Sequence, residues 1–296
     1  MEATQQLKPK DYRPKDYRSD VPPVWCAGCG DYGVLASLTT AFSANNVTPV
    51  DTVLVSGIGC SSRLPYFVTT FGMHTCHGRA LPIATGIKLA RPDLRVIVVG
   101  GDGDHFSIGG GHLPHVARKN IDLTLIVMDN SIYGLTKGQV APTSRSGMVT
   151  TTTPYGSPDM PVNPIAYALV YGASFVAQSF SSNTKLTADL IGQAINHKGF
   201  AFINVISPCP TFNKIDTFDY YKPLLKNIDE IHTDKGDKVK ALSIAMTMGR
   251  ESGEIPVGLF YQEKRPTYVE MLSEIKIKNK GSDNPDLEKI LDIFKP

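Results

Sequence analysis

The chain lacks the features that mark membrane-spanning, secreted and nucleic-acid-binding proteins. No apolar run approaches the roughly 20 residues that a membrane-spanning helix needs, and the first 20 residues lack the apolar middle of a signal peptide. The net charge is only +2, so the charge balance indicates neither a nucleic acid nor a membrane surface as a partner. We therefore expect a cytoplasmic protein of 296 residues, long enough for one large domain or two modest ones.

Three common phosphate- and ion-binding motifs are absent or incomplete. The stretch Val98–Gly111, "VVGGDGDHFSIGGG", comes nearest to a dinucleotide fingerprint, but Phe106 stands where the last glycine should be. A Walker sequence G-K-[ST] does not occur, and the stretch lacks the closing glutamate of an EF-hand. What is present is a glycine-rich turn with two aspartates directly after an apolar segment, which suits a diphosphate and a divalent cation.

Apolar segments alternate with helical patterns along most of the chain. The pattern predicts helices over 31–46, 78–90, 108–120, 163–172 and 187–199, and strands over 52–59, 95–100, 122–130, 173–180 and 201–210. Continuous apolar strands that alternate with helices indicate an α/β fold, with a parallel sheet and helices on both of its faces. Ligands of such folds bind at the carboxyl ends of the strands.

The domain organisation is predicted in three parts. Residues 1–23, with the doubled "KDYRPKDYR", are expected to be an arm that is solvated or touches another subunit, 24–214 an α/β domain, and 215–296 a C-terminal extension packed over the sheet. Residues 138–164 are rich in Thr, Pro, Ser and Gly and predict a long loop. Loops of that length inside a compact domain are usually functional.

The glycine-rich turn predicts a magnesium site. Gly101 and Gly103 let the backbone approach phosphate oxygens, and the carboxylate of Asp102 would meet a metal ion. Asn130 follows the next predicted strand and supplies a carboxamide oxygen nearby. A Gly-Asp-Gly turn followed about thirty residues later by asparagine resembles the thiamine diphosphate signature, although Asp129 replaces the first of its two usual asparagines.

Five cysteines give independent evidence for a bound metal. Cys26 and Cys29 form a C-x-x-C pair, while Cys60 and Cys209 each follow a predicted strand. Four converging thiolates suit a tetrahedral zinc ion or a [4Fe-4S] cluster, and the spacing does not choose between them. Cys76 is expected to be a small buried side chain.

Six motifs in order resemble the β subunit of 2-oxoacid:ferredoxin oxidoreductases: "WCAGCGDYGVL", "GIGCSSRLPYF", "HGRALPIATGIKLA", "GGDGDHFSIGGGH", "MDNSIYGLTKGQ" and "SPCPTFN". The resemblance covers about Val24 to Asn213 and continues more loosely through "IPVGLFYQ". It implies the diphosphate-binding half of a thiamine diphosphate-binding fold. It also implies coenzyme A-dependent oxidative decarboxylation of a 2-oxoacid, or the reverse reaction, with electrons passed through a [4Fe-4S] cluster to ferredoxin.

The resemblance also implies a role for individual residues. Cys26, Cys29, Cys60 and Cys209 would bind the cluster, while Asp102, Asn130 and the backbone carbonyl of Ile132 would bind Mg²⁺. The thiamine cofactor would be lined by Ile58, Gly59, Cys60, Ser61, His77, Gly103, Asp104, Gly134 and Leu135. Cys60 belongs to both sets, which would place the cluster beside the cofactor.

The carboxylate that activates the thiamine cofactor is not expected in this chain, because the chain has sequence for one sheet domain only. The resemblance places that domain on a separate α subunit, or on a fused α/γ subunit, so the isolated chain should be inactive. Arg63 and Lys137 are candidate partners for the distal carboxylate of 2-oxoglutarate. The alternatives are that Arg63 pairs with a partner subunit and that Lys137 contacts the phosphates of coenzyme A. Pyruvate or broad 2-oxoacid specificity is the alternative. A non-oxidative thiamine enzyme and a zinc-binding interaction module are the other hypotheses.

Overall fold

A computed structural model of the protein describes residues 12–278 and 286–295. In chain order the elements are α1 (Asp31–Ala44), β1 (Thr52–Ser56), β2 (Phe71–His74), α2 (Ala80–Ala90), β3 (Arg95–Gly101), α3 (Leu113–Lys119), β4 (Leu123–Asp129), α4 (Pro164–Val170), β5 (Phe175–Phe180), α5 (Thr184–Asn196), β6 (Phe200–Ile206), α6 (Phe218–Tyr221), β7 (Leu225–Asn227), α7 (Lys238–Thr247), β8 (Ile255–Gln262), α8 (Tyr268–Lys278) and α9 (Leu287–Ile293).

The strands form one sheet in the order β2-β1-β3-β4-β6-β5-β8-β7. All neighbouring pairs are parallel except β5 and β8. Side chains of the central strands alternate between two cores. In β3, Val96 and Val98 face one core, while Ile97 and Val99 face the other. Helices α2, α3, α4 and α7 cover the first face, and α1 and α5 cover the second, which confirms the predicted α/β class.

The predicted helices and strands agree with the structure, apart from their ends. The largest difference lies at 108–120, where the helix begins only at Leu113. The preceding residues Asp104–Ile108 form a single wide π-helical turn, and Ser107 there has non-helical backbone angles. Gly109–Gly111 continue as a turn, so the regular helix begins five residues later than the sequence pattern predicted. Residues 138–164 contain no helix or strand before Pro164, as the long-loop prediction requires.

The C-terminal segment differs from the expectation for 215–296. Strand β8 pairs with β5 and strand β7 pairs with β8, so the segment extends the sheet instead of only packing over it. Helix α7 packs on the same face as α4. Among the described residues, no helix combines the length and apolar character that crossing a membrane requires.

Residues 1–11 of the predicted N-terminal arm lie outside the described residues, but the remainder of the arm packs against the domain. Tyr17 is fully buried, and its hydroxyl donates a hydrogen bond to the carbonyl oxygen of Val47 at 2.7 Å. The backbone of Arg18 pairs with that of Val68 in an isolated antiparallel β-bridge. A buried tyrosine whose hydroxyl is hydrogen-bonded anchors the segment that carries it. Residues 12–18 are therefore packed against the domain and are not a solvated arm.

Candidate active site

Four neighbouring parallel strands end at the same edge of the sheet and carry most of the predicted site residues. The chain leaves β1 into Gly57–Cys60, β3 into Asp102–Asp104, β4 into Asn130–Gly134, and β6 into Ser207–Cys209. Because the carboxyl ends of parallel strands meet, loops that are far apart in sequence come together here.

Gly103 lies directly beneath the ring of Tyr133. A Cβ atom at position 103 would lie only 2.2 Å from Tyr133 Cε1, and the Tyr133 hydroxyl donates to the carbonyl of Gly103 at 3.2 Å. The backbone at Gly103 is ordinary helical backbone, with φ −63°. Glycine is therefore required by the ring that packs on it and not by an unusual φ.

Asp104 joins three of the predicted cofactor-lining segments. Its Oδ1 atom accepts hydrogen bonds from the amide of Ile58 at 3.1 Å, the amide of Gly78 at 2.7 Å and His77 Nδ1 at 2.7 Å. Asp104 is 2% exposed, whereas the His77 side chain is 36% exposed. The Asp104 carboxylate thus acts from beneath the site, by fixing His77 and the turn at Ile58.

Asp102 and Asp129 form a buried pair of carboxylates. The Thr143 hydroxyl lies 2.6 Å from Asp102 Oδ2 and 2.7 Å from Asp129 Oδ1. Burial, and secondly the charge of Asp129, raise the pKa of Asp102 above its usual range. Two buried carboxylates at this distance call for positive charge between or beside them, so the donor set fits the predicted divalent cation.

Asn130 lies at the turn after β4, where Ser131 has a φ of +55°. Its side-chain oxygen accepts from the amide of Ile132 at 3.1 Å and keeps a second lone pair. Its backbone carbonyl accepts from Asn213 Nδ2 at 3.0 Å. The turn after β4 is thereby fixed by Asn213, which belongs to the same loop as Cys209.

Two of the four predicted cluster ligands, Cys60 and Cys209, lie close to Gly134. A Cβ atom placed there would lie 3.6 Å from Cys60 Sγ and 3.8 Å from Cys209 Sγ. The amide of Cys29 donates to the carbonyl of Cys26 at 3.1 Å, which closes the C-x-x-C turn. Across 12–278 and 286–295, no three His, Cys, Asp or Glu side chains already form a metal site.

Burial dominates the electrostatics of the thiols. It raises the pKa of Cys60 to about 11 and, with the charge of Asp31, raises the pKa of Cys29 far above its usual range. Thiols in such surroundings stay protonated and unreactive until a metal ion displaces the proton. The donor set of thiols alone fits either an iron–sulfur cluster or zinc. Trp25 packs beside these thiols, and its Nε1 donates to the carbonyl of Cys60 at 2.7 Å.

The prediction that Cys76 is buried is wrong. Cys76 is exposed, because it follows β2, an edge strand whose residues are all exposed.

The two predicted substrate residues differ in exposure. Arg63 is half-buried. Its positive charge lies near the Cys60 thiol and lowers the pKa of that thiol, although burial raises the same pKa by more. Lys137 is exposed, as is Leu135.

Three polar residues near the predicted metal site were not identified from the sequence: Thr143, Asn213 and Arg250. Arg250 donates to the carbonyl of Thr143 at 2.9 Å and to the hydroxyl of Ser131 at 2.6 Å. All three come from loops remote in sequence from Asp102. For Thr143 the available signal was the length of the 138–164 loop, which predicted a function but no particular residue.

A parallel α/β sheet with this Gly-Asp-Gly turn defines a thiamine diphosphate-binding domain. The family model described as thiamine pyrophosphate enzyme, C-terminal TPP binding domain, matches residues 57–205. The family model for the C-terminal part of the beta subunit of pyruvate ferredoxin oxidoreductase matches residues 209–277.

Similar proteins narrow the class. The β subunit of 2-oxoacid:ferredoxin oxidoreductase 1 from Aeropyrum pernix is 43% identical, over 91% of this chain and 87% of that one. The 2-oxoglutarate synthase subunit KorB from Methanocaldococcus jannaschii is 40% identical, over 88% of this chain and 95% of that one. A solved 2-oxoglutarate:ferredoxin oxidoreductase from Magnetococcus marinus, with 2-oxoglutarate, coenzyme A and succinyl-CoA bound, has 50% identity and a TM-score of 0.91, and each chain covers 97% of the other. The chain belongs to the β subunits of the 2-oxoacid:ferredoxin oxidoreductases, and it is an enzyme subunit.

Proposed function

We propose that this chain is the β subunit of a 2-oxoglutarate:ferredoxin oxidoreductase, which converts 2-oxoglutarate and coenzyme A to succinyl-coenzyme A and CO₂, or runs in reverse. The observation that carries the proposal is the edge of the sheet where the Asp102 turn and the Cys60 and Cys209 thiols meet. Likeness over 97% of the chain to a complex with 2-oxoglutarate bound supports the substrate.

The site residues then have distinct tasks. Asp102, Asn130 and the carbonyl of Ile132 would hold Mg²⁺, which neutralises the diphosphate. Ile58, Gly59, Cys60, Ser61, His77, Gly103, Gly134 and Leu135 would line the cofactor, and Asp104 would hold His77 in place. Cys26, Cys29, Cys60 and Cys209 would bind one [4Fe-4S] cluster. When bound, thiamine diphosphate supplies the electron sink for decarboxylation, and the cluster carries electrons onward.

The partners follow from the same proposal. An α subunit would supply the activating carboxylate, and ferredoxin would take the electrons. A cytoplasmic location is part of the proposal, because cysteines that serve as metal ligands are typical of a reducing compartment.

Arg63 supports 2-oxoglutarate over pyruvate as the substrate. No carboxylate of the described residues pairs with this half-buried guanidinium. A cation withdrawn from water favours a ligand that brings a carboxylate, and 2-oxoglutarate has a distal one whereas pyruvate ends in a methyl group. Pyruvate is the alternative substrate. Its support is the match of residues 209–277 to the family model named for pyruvate ferredoxin oxidoreductase.

The test is steady-state kinetics of the co-purified complex with coenzyme A and a viologen dye as electron acceptor. In wild type, kcat/KM should be higher for 2-oxoglutarate than for pyruvate. Arg63→Leu should cost 2-oxoglutarate about 1.5–3 kcal/mol, about 10- to 100-fold, and leave pyruvate nearly unchanged. Lys137→Met tests the second candidate residue and should also lower kcat/KM for 2-oxoglutarate more than for pyruvate. Arg91→Leu, at an exposed arginine that pairs with Asp93 before β3, is the control and should change neither substrate.

Two results would count against the proposal. An equal loss for both substrates in Arg63→Leu would show that this residue does not contact the distal carboxylate. Turnover by the isolated chain, without its α partner, would contradict the shared active site.

A further inference from the structure

We propose that Thr143 is a positioning residue for the divalent cation, and that its hydroxyl sets the affinity of the site for Mg²⁺. The inference rests on the proposed Mg²⁺ site at Asp102 and Asn130. Thr143 itself need not touch the ion, because it acts through the carboxylates on either side of it.

The first support is the position of the Thr143 hydroxyl between two buried acceptors. It lies 2.6 Å from Asp102 Oδ2 and 2.7 Å from Asp129 Oδ1. A hydroxyl has one proton, so Thr143 can donate to only one of the two carboxyl groups, and the other short contact requires a proton or a cation held by the pair. The Thr143 hydroxyl therefore links two buried carboxyl groups whose negative charge must be balanced, and a divalent cation beside Asp102 would balance it.

The second support is what Asp129 holds in turn. Asp129 Oδ1 also accepts from the amide of Ser131 at 3.1 Å and from the Ser131 hydroxyl at 3.2 Å. Ser131 lies between Asn130 and Ile132, the two predicted ligands in that turn. Thr143 thus connects the Asp102 turn after β3 to the Asn130 turn after β4, and fixes the distance between their ligands.

The third support is that Thr143 is itself fixed. Arg250, from the turn between α7 and β8, donates to the Thr143 carbonyl at 2.9 Å and to the Ser131 hydroxyl at 2.6 Å. Thr143 is 1% exposed to solvent. Partners that orient the ligands of a metal typically change its affinity 10- to 100-fold when they are removed.

The experiment measures the Mg²⁺ concentration at which thiamine diphosphate binding is half-maximal, by titration calorimetry on the purified, cofactor-depleted complex. Thr143→Val keeps the shape of the side chain but removes the hydroxyl, and should raise that concentration about 10- to 100-fold. Thr143→Ser restores the hydroxyl and should stay within about threefold of wild type. At saturating Mg²⁺, all three proteins should bind the cofactor with similar affinity, a pattern that general loosening of the fold would not produce.

Arg250→Gln is the second variant, in case Thr143→Val folds poorly, and should shift the Mg²⁺ requirement in the same direction. Asp102→Ala separates the two levels of the proposal. If Asp102→Ala loses Mg²⁺-dependent binding while Thr143→Val and Arg250→Gln match wild type, the role of Thr143 is refuted and the Mg²⁺ site stands. If wild type binds thiamine diphosphate equally well without Mg²⁺, the proposed site fails and the inference fails with it.

Discussion

Gly103 and Gly86 show how differently two glycines of this chain are constrained. A Cβ at position 103 would enter the ring of Tyr133, whereas a Cβ at position 86, inside α2, would meet nothing within 4 Å. Neither has the positive φ that favours glycine for conformational reasons. The requirement for glycine at 103 is therefore steric, and it comes from the contact that joins the β3 and β4 turns.

Gly103→Ala should destabilise the protein by about 1–3 kcal/mol, because the Tyr133 ring must move to admit the methyl group. Gly86→Ala, the matched control, should stabilise it by about 0.5–1 kcal/mol, the usual gain for alanine over glycine in a helix interior. Chemical denaturation of the purified chain measures both effects. Equal stability of the two variants would show that the Tyr133 ring does not restrict position 103.

The sequence predicted candidate residues that directly follow a strand better than the residues that contact them. Asp102 and Asn130 could be proposed as ligands because strand ends are recognisable and parallel strands end together. Thr143 could not, because a residue in a long loop has no periodicity that places it. Cys76 was wrongly expected to be buried, because β2 was not predicted and the exposure of its turn was therefore unknown.

At the scale of elements, the loops after β4 and β6 act as one unit through Asn213. This fully buried residue donates to the Asn130 carbonyl at 3.0 Å and to Asp216 Oδ2 at 3.1 Å. Its own Oδ1 accepts from the amides of Ile215 and Asp216. Arg145 of the long loop is paired with Asp216 at 2.5 Å. The turn that carries Asn130 and the loop that carries Cys209 are thus tied together.

Asn213→Ala should leave these buried groups without partners and speed amide hydrogen exchange across residues 129–135, with a loss of stability of about 1–3 kcal/mol per unsatisfied group. Asn183→Ala is the control, since Asn183 caps α5 by accepting from the amide of Leu186. It should cost about 1 kcal/mol and leave exchange at 129–135 unchanged. Unaltered exchange there in Asn213→Ala would contradict the coupling.

Elements with clear periodicity were predicted, and those without it were not. Strand β2 has four residues, all exposed, and β7 has only three. Strand β8 contains Pro256 and Gly258, residues that usually argue against a strand. Tertiary pairing overrides these local preferences, because β8 adds to the free edge of β5.

At the scale of the whole molecule, the topology of the sheet brings two chemistries to one edge. The strands β1, β3, β4 and β6 are neighbours in the sheet, although the turns that follow them are spread along the chain from Cys60 to Cys209. The turns after β3 and β4 carry the predicted Mg²⁺ ligands, and those after β1 and β6 carry two of the predicted cluster thiols. A cofactor held by the first pair of turns would therefore lie beside a cluster held by the second.

The central claim is that this chain carries a [4Fe-4S] cluster beside its thiamine site, and the most direct test is the iron and acid-labile sulfide content of the anaerobically purified complex. Wild type should hold about four iron atoms per β chain and show broad visible absorbance. Cys209→Ala should lose both, because three thiolates leave one iron open and labile, whereas Cys76→Ala, at an exposed cysteine, should keep both. A colourless protein with zinc in place of iron, or loss of iron in Cys76→Ala but not in Cys209→Ala, would contradict the account.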